Sequence, residues 1–340
     1  MSISRRASNR LIVILAGLFV LVIVISAGLG RFFIAPQAVV RLFWLRLTGG
    51  IVPDELAQAS LVLFRIRLPR LAGAALAGSA LAASGAAYQG LFRNPLVSPD
   101  VLGVTAGAAF GAVLSLFWGL SPLMLILISF SFGLGTAMLV GFLAQKAGAN
   151  TDSNLALVLA GIMVGSLVSS ATSLIKLLAD PNNVLPALTY WLMGGFSAVK
   201  EVSLFITGPI ILAALLLLFA LRWRINILTM GEEEARTLGG RVALSRTLVI
   251  IGATLATAAT VALCGPVGWL GLVIPHFARM TAGSDYRLLL PVSILMGAAF
   301  LVVVDDFSRL LAASEIPIGI LTSFVGVPVF LALIRRGGTK

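Results

Sequence analysis

The sequence predicts an all-α polytopic membrane protein with ten transmembrane helices. Of the 340 residues, 59% are hydrophobic and only 11% are charged, and apolar stretches long enough to span recur from Leu11 almost to the C-terminus. Lipid offers the backbone no hydrogen-bond partners, so each crossing must be a helix or part of a closed barrel, and uninterrupted apolar runs lack the alternation of a barrel. The predicted crossings are 11–30, 68–91, 101–119, 122–145, 154–178, 203–223, 246–264, 266–281, 288–310 and 316–334.

Two segments need separate interpretation. The run 11–30 follows a basic start typical of a signal peptide, but it is long enough to span and many spans follow, so we expect an uncleaved first helix. The apolar piece 185–198 is too short to cross comfortably and is expected to be an interfacial or re-entrant helix. We expect residues 1–340 to form a single transmembrane domain.

The distribution of basic residues predicts the orientation. With a cytoplasmic N-terminus, the predicted inner segments hold 15 of the 24 lysine and arginine residues. Both termini are therefore expected in the cytoplasm. The formal net charge of +11 is accounted for by these short loops, so we do not expect the protein to bind nucleic acid.

The stretch FRIRLPRLAG at 64–73 is the main exception to this orientation. Pro69 fits the first turn of a helix, so the second crossing is expected to start there. Arg67 and Arg70 would then lie on the outer side and also oppose the helix macrodipole. Two explanations stay open: the arginines reach lipid headgroups, or an external partner brings carboxylates to them.

The polar interval RWRINILTMGEEEARTLGGRVALSR predicts a small cytoplasmic helix at 229–240. Thr229 and Glu232 have the spacing of a capping box, and Gly239 and Gly240 can end the helix. Such a charged helix is suited to docking into a cleft of a partner, although a solvated loop helix is the alternative.

Several kinds of chemistry lack candidate residues. Cys264 is the one cysteine and His276 the one histidine, so neither an internal disulfide nor a metal site built by histidines is expected. No phosphate-binding loop and no nucleophile motif occurs. We therefore expect no catalytic residues, no metal and no cofactor in this chain. An ion-coupled secondary transporter remains an alternative, disfavoured by the scarcity of charges within the crossings, and an intramembrane enzyme is a third hypothesis without candidate residues.

Six stretches together resemble one known family. They are RLPRLAG at 67–73, GLFRNPLVSPDVLGVTAGA at 90–108, YWLMGGFSAV at 190–199, MGEEEARTLGG at 230–240, GPVGWLGLVIPHFAR at 265–279 and EIPIGILTSFVGVPVF at 315–330. Their sequence and order resemble the membrane subunits of ABC importers for ferric siderophores, haem and cobalamin, the FecCD type. The resemblance covers nearly the whole chain.

The resemblance implies a type II ABC importer permease fold with ten helices per subunit, in the inner membrane of a bacterium. Its partners would be a second permease subunit, with a homodimer preferred over a heterodimer, two cytoplasmic ATPase subunits and a periplasmic substrate-binding protein. ATP and Mg would bind to the ATPase subunits. The cargo would be a metal chelate, with a ferric siderophore as first choice and haem or cobalamin as the alternative.

The resemblance also implies roles for particular residues. Docking of the binding protein through its glutamates is expected at Arg67, Arg70 and Arg309. Coupling to the ATPase is expected at Glu232, Glu233, Glu234, Ala235, Arg236, Leu238 and Gly239. The cytoplasmic gate is expected near Asn94 and Pro95 and near Thr151, Asp152 and Ser153. Pro317, Gly319, Gly326 and Pro328 are expected to disrupt a tenth helix that lines the pathway, with a purely structural kink as the equal alternative.

Overall fold

The computed structural model describes residues 5–146, 153–237 and 242–337, and every regular element in these ranges is a helix. The first half comprises α1 (Arg5–Gly28), α2 (Pro36–Thr48), α3 (Asp54–Leu61), a π-helical segment (Val62–Arg67), α4 (Leu68–Leu91), α5 (Val104–Phe117), α6 (Pro122–Lys146) and α7 (Ser153–Leu178). The second half comprises α8 (Val184–Leu192), α9 (Glu201–Met230), α10 (Glu232–Thr237), α11 (Val242–Cys264), α12 (Leu270–Ala282), α13 (Tyr286–Leu310) and α14 (Ile318–Gly337).

Seven of the described helical stretches are long and apolar enough to cross a membrane, the longest being the continuous run Asp54–Leu91. The helices Val104–Phe117 and Ile318–Leu331 are apolar but shorter. The all-helical membrane fold is thus confirmed, whereas the number of ten crossings stays a prediction. The short piece predicted at 185–198 is a helix over Val184–Leu192 only.

The centre of the bundle is α4, because its small residues let other helices approach its backbone. In the stretch that contains α4, 83% of the apolar 18-residue window is buried, whereas 17% of the corresponding window is buried in α1, at the periphery. A Cβ at Gly78 would collide with the backbone of Gly297 in α13, and one at Gly85 with the backbone of Gly271 in α12. Close backbone contact through small residues is the usual way in which helices associate in lipid.

Two helices, α2 and α3, lie within the segment between the first two predicted crossings, where the sequence analysis placed none. Signals for both exist in the sequence. Pro36 occupies the first turn of α2, and Gly49 ends that helix with a φ of 68°. Asp54 and Glu55 occupy the first turn of α3, where negative charge is favourable. The five arginines of this segment drew attention away from these signals.

Pro69 does not begin a helix, which corrects the sequence interpretation. The helix runs on from Asp54 through the π-helical segment into α4, where the N–H of Leu68 bonds to the carbonyl of Leu63. This wider hydrogen-bond spacing directly precedes the proline, which has no N–H to contribute. Arg67 and Arg70 therefore lie inside a long helical stretch rather than opposing a macrodipole at its start.

The loop between α8 and α9 makes backbone hydrogen bonds to the end of α11 and to the start of α14. The N–H of Gly195 donates to the carbonyl of Cys264 at 2.8 Å. The N–H groups of Ile318 and Gly319 donate to the carbonyls of Gly194 and Met193, both at 3.0 Å. The last residue of α11 is thereby connected, through the α8–α9 loop, to the first turn of α14.

Candidate docking, coupling and pathway sites

The three predicted docking arginines belong to one buried cluster where the ends of α1 and α13 meet the start of α4. We call this the arginine cluster: Ser26, Arg67, Arg70, Asp305, Asp306, Arg309 and Glu315. Arg67, Arg70 and Arg309 are only 4%, 6% and 8% exposed. Their exposure is too small for headgroup contact to explain them, because a side chain that reaches headgroups keeps its charged end in the interface.

Arg70 is shared between two carboxylates. Its Nε lies 2.9 Å from both carboxylate oxygens of Asp305, and its Nη2 lies 2.8 Å from Oδ1 of the same residue. Its Nη1 donates to Oε1 of Glu315 at 2.7 Å. Each of the three guanidinium nitrogens of Arg70 therefore has a carboxylate partner within the subunit.

Arg309 contacts both aspartates of the arginine cluster. Its Nη2 donates to Asp306, its Nε lies 3.3 Å from Oδ2 of Asp305, and its Nη1 donates to the carbonyl of Leu29 at 3.2 Å. The hydroxyl of Ser26 in α1 donates to the second oxygen of Asp306. These bonds connect α1 to α13 at the same end of the bundle.

Arg67 is bound by main-chain oxygens. It donates to the carbonyls of Ala27 at 2.7 Å and Phe32 at 2.6 Å. Gly30 leaves room for it, since a Cβ at that position would collide with the Arg67 guanidinium. No sequence pattern pointed to these partners, because they lie on another helix and in the segment that follows it.

The arginine cluster balances three guanidinium groups with three carboxylates, and no described buried side-chain nitrogen or oxygen lacks a partner. Burial of charge is tolerated only when it is matched in this way. The docking role of Arg67, Arg70 and Arg309 stays a prediction, and any partner would meet these groups at a site that is already paired.

Within the segment 229–240, where a coupling helix was predicted, the structure has the helix α10, Glu232–Thr237, and its coupling role stays a prediction. Glu234 is exposed, whereas Ala235 is 0% exposed and donates its N–H to the carbonyl of Gly231. Leu238 and Gly239 lie outside the described residues, and for Glu232, Glu233 and Arg236 only the helical backbone is described.

The predicted capping box of Thr229 and Glu232 is wrong. Helix α9 continues to Met230, and the Thr229 hydroxyl donates to the carbonyl of Asn226 at 2.6 Å. Gly231, with a φ of 123°, makes the turn between α9 and α10 instead. A side chain at Gly231 would collide with the Glu234 carboxylate and lie 3.6 Å from the guanidinium of Arg93. Arg93 belongs to the loop between α4 and α5, where the first gate segment was predicted, so this loop lies close to the start of α10.

The first predicted gate segment lies in the loop between α4 and α5. The side chain of Asn94 accepts a hydrogen bond from the N–H of Leu96 at 2.9 Å, and Asn94 and Pro95 are both exposed. Of the second predicted segment, Thr151 and Asp152 lie outside the described residues, and Ser153 begins α7.

Polar residues not singled out from the sequence connect helices near α10. Arg279 of α12 donates to Gln89 of α4 at 2.8 Å. Asn226 of α9 donates to Asp285 at 2.6 Å and accepts from the N–H of Tyr286 at 2.8 Å. These contacts join α4, α9, α12 and α13 at the end of the bundle opposite the arginine cluster.

Two of the four predicted pathway residues border an apolar cavity, but none of them interrupts the helix. Pro317 precedes α14, and the helix runs through Gly326 and Pro328 without a break, which corrects the expected disruption. Gly326 allows the side chain of Trp269 to pack against α14. Gly319 and Pro328 line a cavity of about 730 Å³ together with Met193 and Phe324, and the residues described around it carry no charge.

Within residues 5–146, 153–237 and 242–337, no three histidine, cysteine, aspartate or glutamate side chains are grouped as metal ligands would be. The described residues thus form an all-helical membrane bundle with an apolar cavity beside α14 and polar contacts at its two ends.

Comparison with known proteins gives the class and then the family. The family model of the FecCD transport family matches residues 18–336, and the chain belongs to that family. It is an ABC importer permease and a transport subunit rather than an enzyme. It is 39% identical to the molybdate import system permease protein MolB of Haemophilus influenzae, over 94% of this chain and 95% of the relative. It is 38% identical to the cobalamin import system permease protein BtuC of Halobacterium salinarum, over 82% of this chain and 74% of the relative.

A solved structure agrees with this assignment. An inward-facing conformation of a metal-chelate type ABC transporter superimposes with a TM-score of 0.84 at 35% identity, covering 96% of this chain and 99% of that one.

Proposed function

We propose that this chain is the membrane subunit of an importer that moves a metal chelate, with a ferric siderophore as first choice, from a periplasmic binding protein into the cytoplasm. The observation that carries the cargo class is the superposition on a metal-chelate type transporter, supported by the uncharged wall of the cavity beside α14. An apolar wall suits a bulky chelate whose metal charge is screened by its ligand. Haem or cobalamin is the nearest alternative.

The mechanism we propose is alternating access driven by other subunits. Two copies of this chain, with both termini in the cytoplasm of a bacterial inner membrane, would enclose the pathway between them. ATP and Mg would bind to two ATPase subunits, whose closure would push on α10 and on the neighbouring gate loop. The binding protein would supply the affinity for cargo, so the permease needs only to release it.

Uptake of labelled cargo tests the cargo class. The chain would be reconstituted in liposomes with its ATPase subunits and the binding protein encoded beside it. We expect uptake of a radiolabelled ferric siderophore and no uptake of molybdate, which is included because the relative from Haemophilus influenzae is named for it. Uptake of molybdate alone would overturn the chelate assignment while leaving the family intact.

A further inference from the structure

The three carboxylates of the arginine cluster differ in their exposure to solvent. The side chain of Asp305 is 0% exposed and that of Asp306 is 12% exposed, and both belong to α13. The Glu315 side chain is 28% exposed and lies in the segment between α13 and α14. Glu315 is thus the carboxylate nearest to solvent.

Glu315 also has fewer partners. Asp305 contacts both Arg70 and Arg309, and Asp306 contacts Arg309 and Ser26. In the described ranges, the side chain of Glu315 bonds with Arg70 alone, at 2.7 Å. It is therefore the member of the cluster that can be exchanged without disturbing the others.

We propose that Glu315 is an internal substitute for an acidic side chain of the docking partner. On docking, a carboxylate of the binding protein takes the place of Glu315 on Nη1 of Arg70, and Glu315 moves into water. Arg70 stays paired with Asp305 throughout, so no buried charge is left without a partner during the exchange. The inference rests on the proposed docking function and explains how buried arginines can take part in it.

Displacement of Glu315 affects α14 because Glu315 lies in the segment that leads into this helix. The next residue, Ile316, donates its N–H to the carbonyl of Ser308 at 3.1 Å, and the Ser308 hydroxyl donates back to the carbonyl of Ile316 at 2.6 Å. Ile318 and Gly319 then begin α14 and carry the bonds to the α8–α9 loop. Release of Glu315 from Arg70 removes one of the contacts that hold this segment, and leaves the Ile316–Ser308 bonds as its remaining attachment before the cavity-lining helix.

Replacing Glu315→Gln tests the proposal in the full transporter in nanodiscs. The amide removes the competing negative charge but can still accept a hydrogen bond from Arg70. We expect the binding protein to associate about threefold to tenfold more tightly, with the gain mostly lost in high salt. The matched control is Glu201→Gln, which neutralises the exposed pair of Glu201 with Arg65 and should leave association unchanged.

A scan of the binding protein separates failure of this inference from failure of docking itself. Each surface aspartate and glutamate of the binding protein is neutralised in turn. If none matters for association, the proposed docking is wrong. If some of these residues matter for association, but the binding protein associates with the Glu315→Gln variant no more tightly than with the unchanged chain, the proposed docking stands. The proposed displacement of Glu315 is then wrong.

Hydrogen exchange gives a readout that needs no variant. In the unchanged transporter, docking should accelerate exchange of the amides of Ile316, Ile318 and Gly319. Exchange that is equal with and without the binding protein would contradict the proposal.

Discussion

Arg70 is the residue on which the charges of the arginine cluster converge, and this changes how a docking role should be tested. Reversing its charge would place a third carboxylate between Asp305 and Glu315 in a buried site. The loss of association seen in such a variant would then reflect damage to the cluster. Substitution of Glu315 leaves the pairing of Arg70 with Asp305 intact and is the cleaner experiment.

Replacing Arg70→Met should destabilise the subunit strongly. Breaking a buried ion pair by removing one partner typically costs about 3–5 kcal/mol, because the other charge stays buried. The measurement is thermal unfolding in detergent followed by size-exclusion chromatography. Arg65→Met is the control, since Arg65 is 72% exposed and its pair with Glu201 should contribute less than about 1 kcal/mol. Equal melting of the two variants would contradict the described cluster.

The sequence predicted the arginines of the cluster but not their partners. The positive-inside pattern and the resemblance both singled out Arg67 and Arg70. Asp305 is 235 residues away from Arg70, and nothing in the local sequence pairs them. Contacts of this range depend on how α4 and α13 pack, which hydrophobic periodicity does not determine.

Among the helices, prediction succeeded where apolar character and length agree. The end of α4 at Leu91 was predicted correctly, although its predicted start lies inside the continuous helical stretch Asp54–Leu91. The bounds of α13 were predicted within two residues. The helix predicted at 203–223 is longer, Glu201–Met230, because the charges of Arg222 and Arg224 end the apolar run from which the crossing was predicted. Helices α2 and α3 were missed for another reason, because with 13 and 8 residues they are too short to be recognised as crossings.

Replacing Gly78→Ala should destabilise the packing of α4 on α13. The new Cβ would meet the backbone carbonyl of Gly297, which cannot move aside as a side chain could. Overpacking of this kind costs about 1–3 kcal/mol. Gly141→Ala in α6 is the matched control, because nothing lies within 4 Å of its Cβ position. A melting temperature lowered equally by both changes would argue against close contact of α4 and α13.

Replacing Glu234→Lys tests α10 as the coupling helix. Glu234 is exposed while Ala235 beside it is fully buried, so the change alters the outer face of α10 without disturbing its packing. We expect ATPase activity stimulated by the loaded binding protein to fall at least severalfold, with an unchanged melting temperature. Glu55→Lys in α3 is the control for charge reversal far from α10. Full stimulation in Glu234→Lys would contradict the coupling role.

Across the whole molecule, the distribution of charge supports a subunit that acts through partners. The arginine cluster lies at one end of the bundle and α10 lies at the other. The uncharged cavity lies beside α14 and is also lined by α8 and by the α11–α12 segment. Glu315 and the first turn of α14 connect the first end to the cavity wall. At the second end, the guanidinium of Arg93 in the α4–α5 loop lies close to Gly231, which precedes α10. The end that holds the arginine cluster is therefore linked to the cavity wall by a short segment of chain.

The central claim is that energy for transport comes from the partner ATPase and not from this chain. The decisive measurement is uphill uptake of labelled cargo into proteoliposomes containing this chain, with and without its ATPase subunits, under ATP and under an imposed ion gradient. We predict uptake only when the ATPase, ATP and the binding protein are all present. Accumulation driven by the ion gradient in liposomes that contain this chain alone would contradict the account.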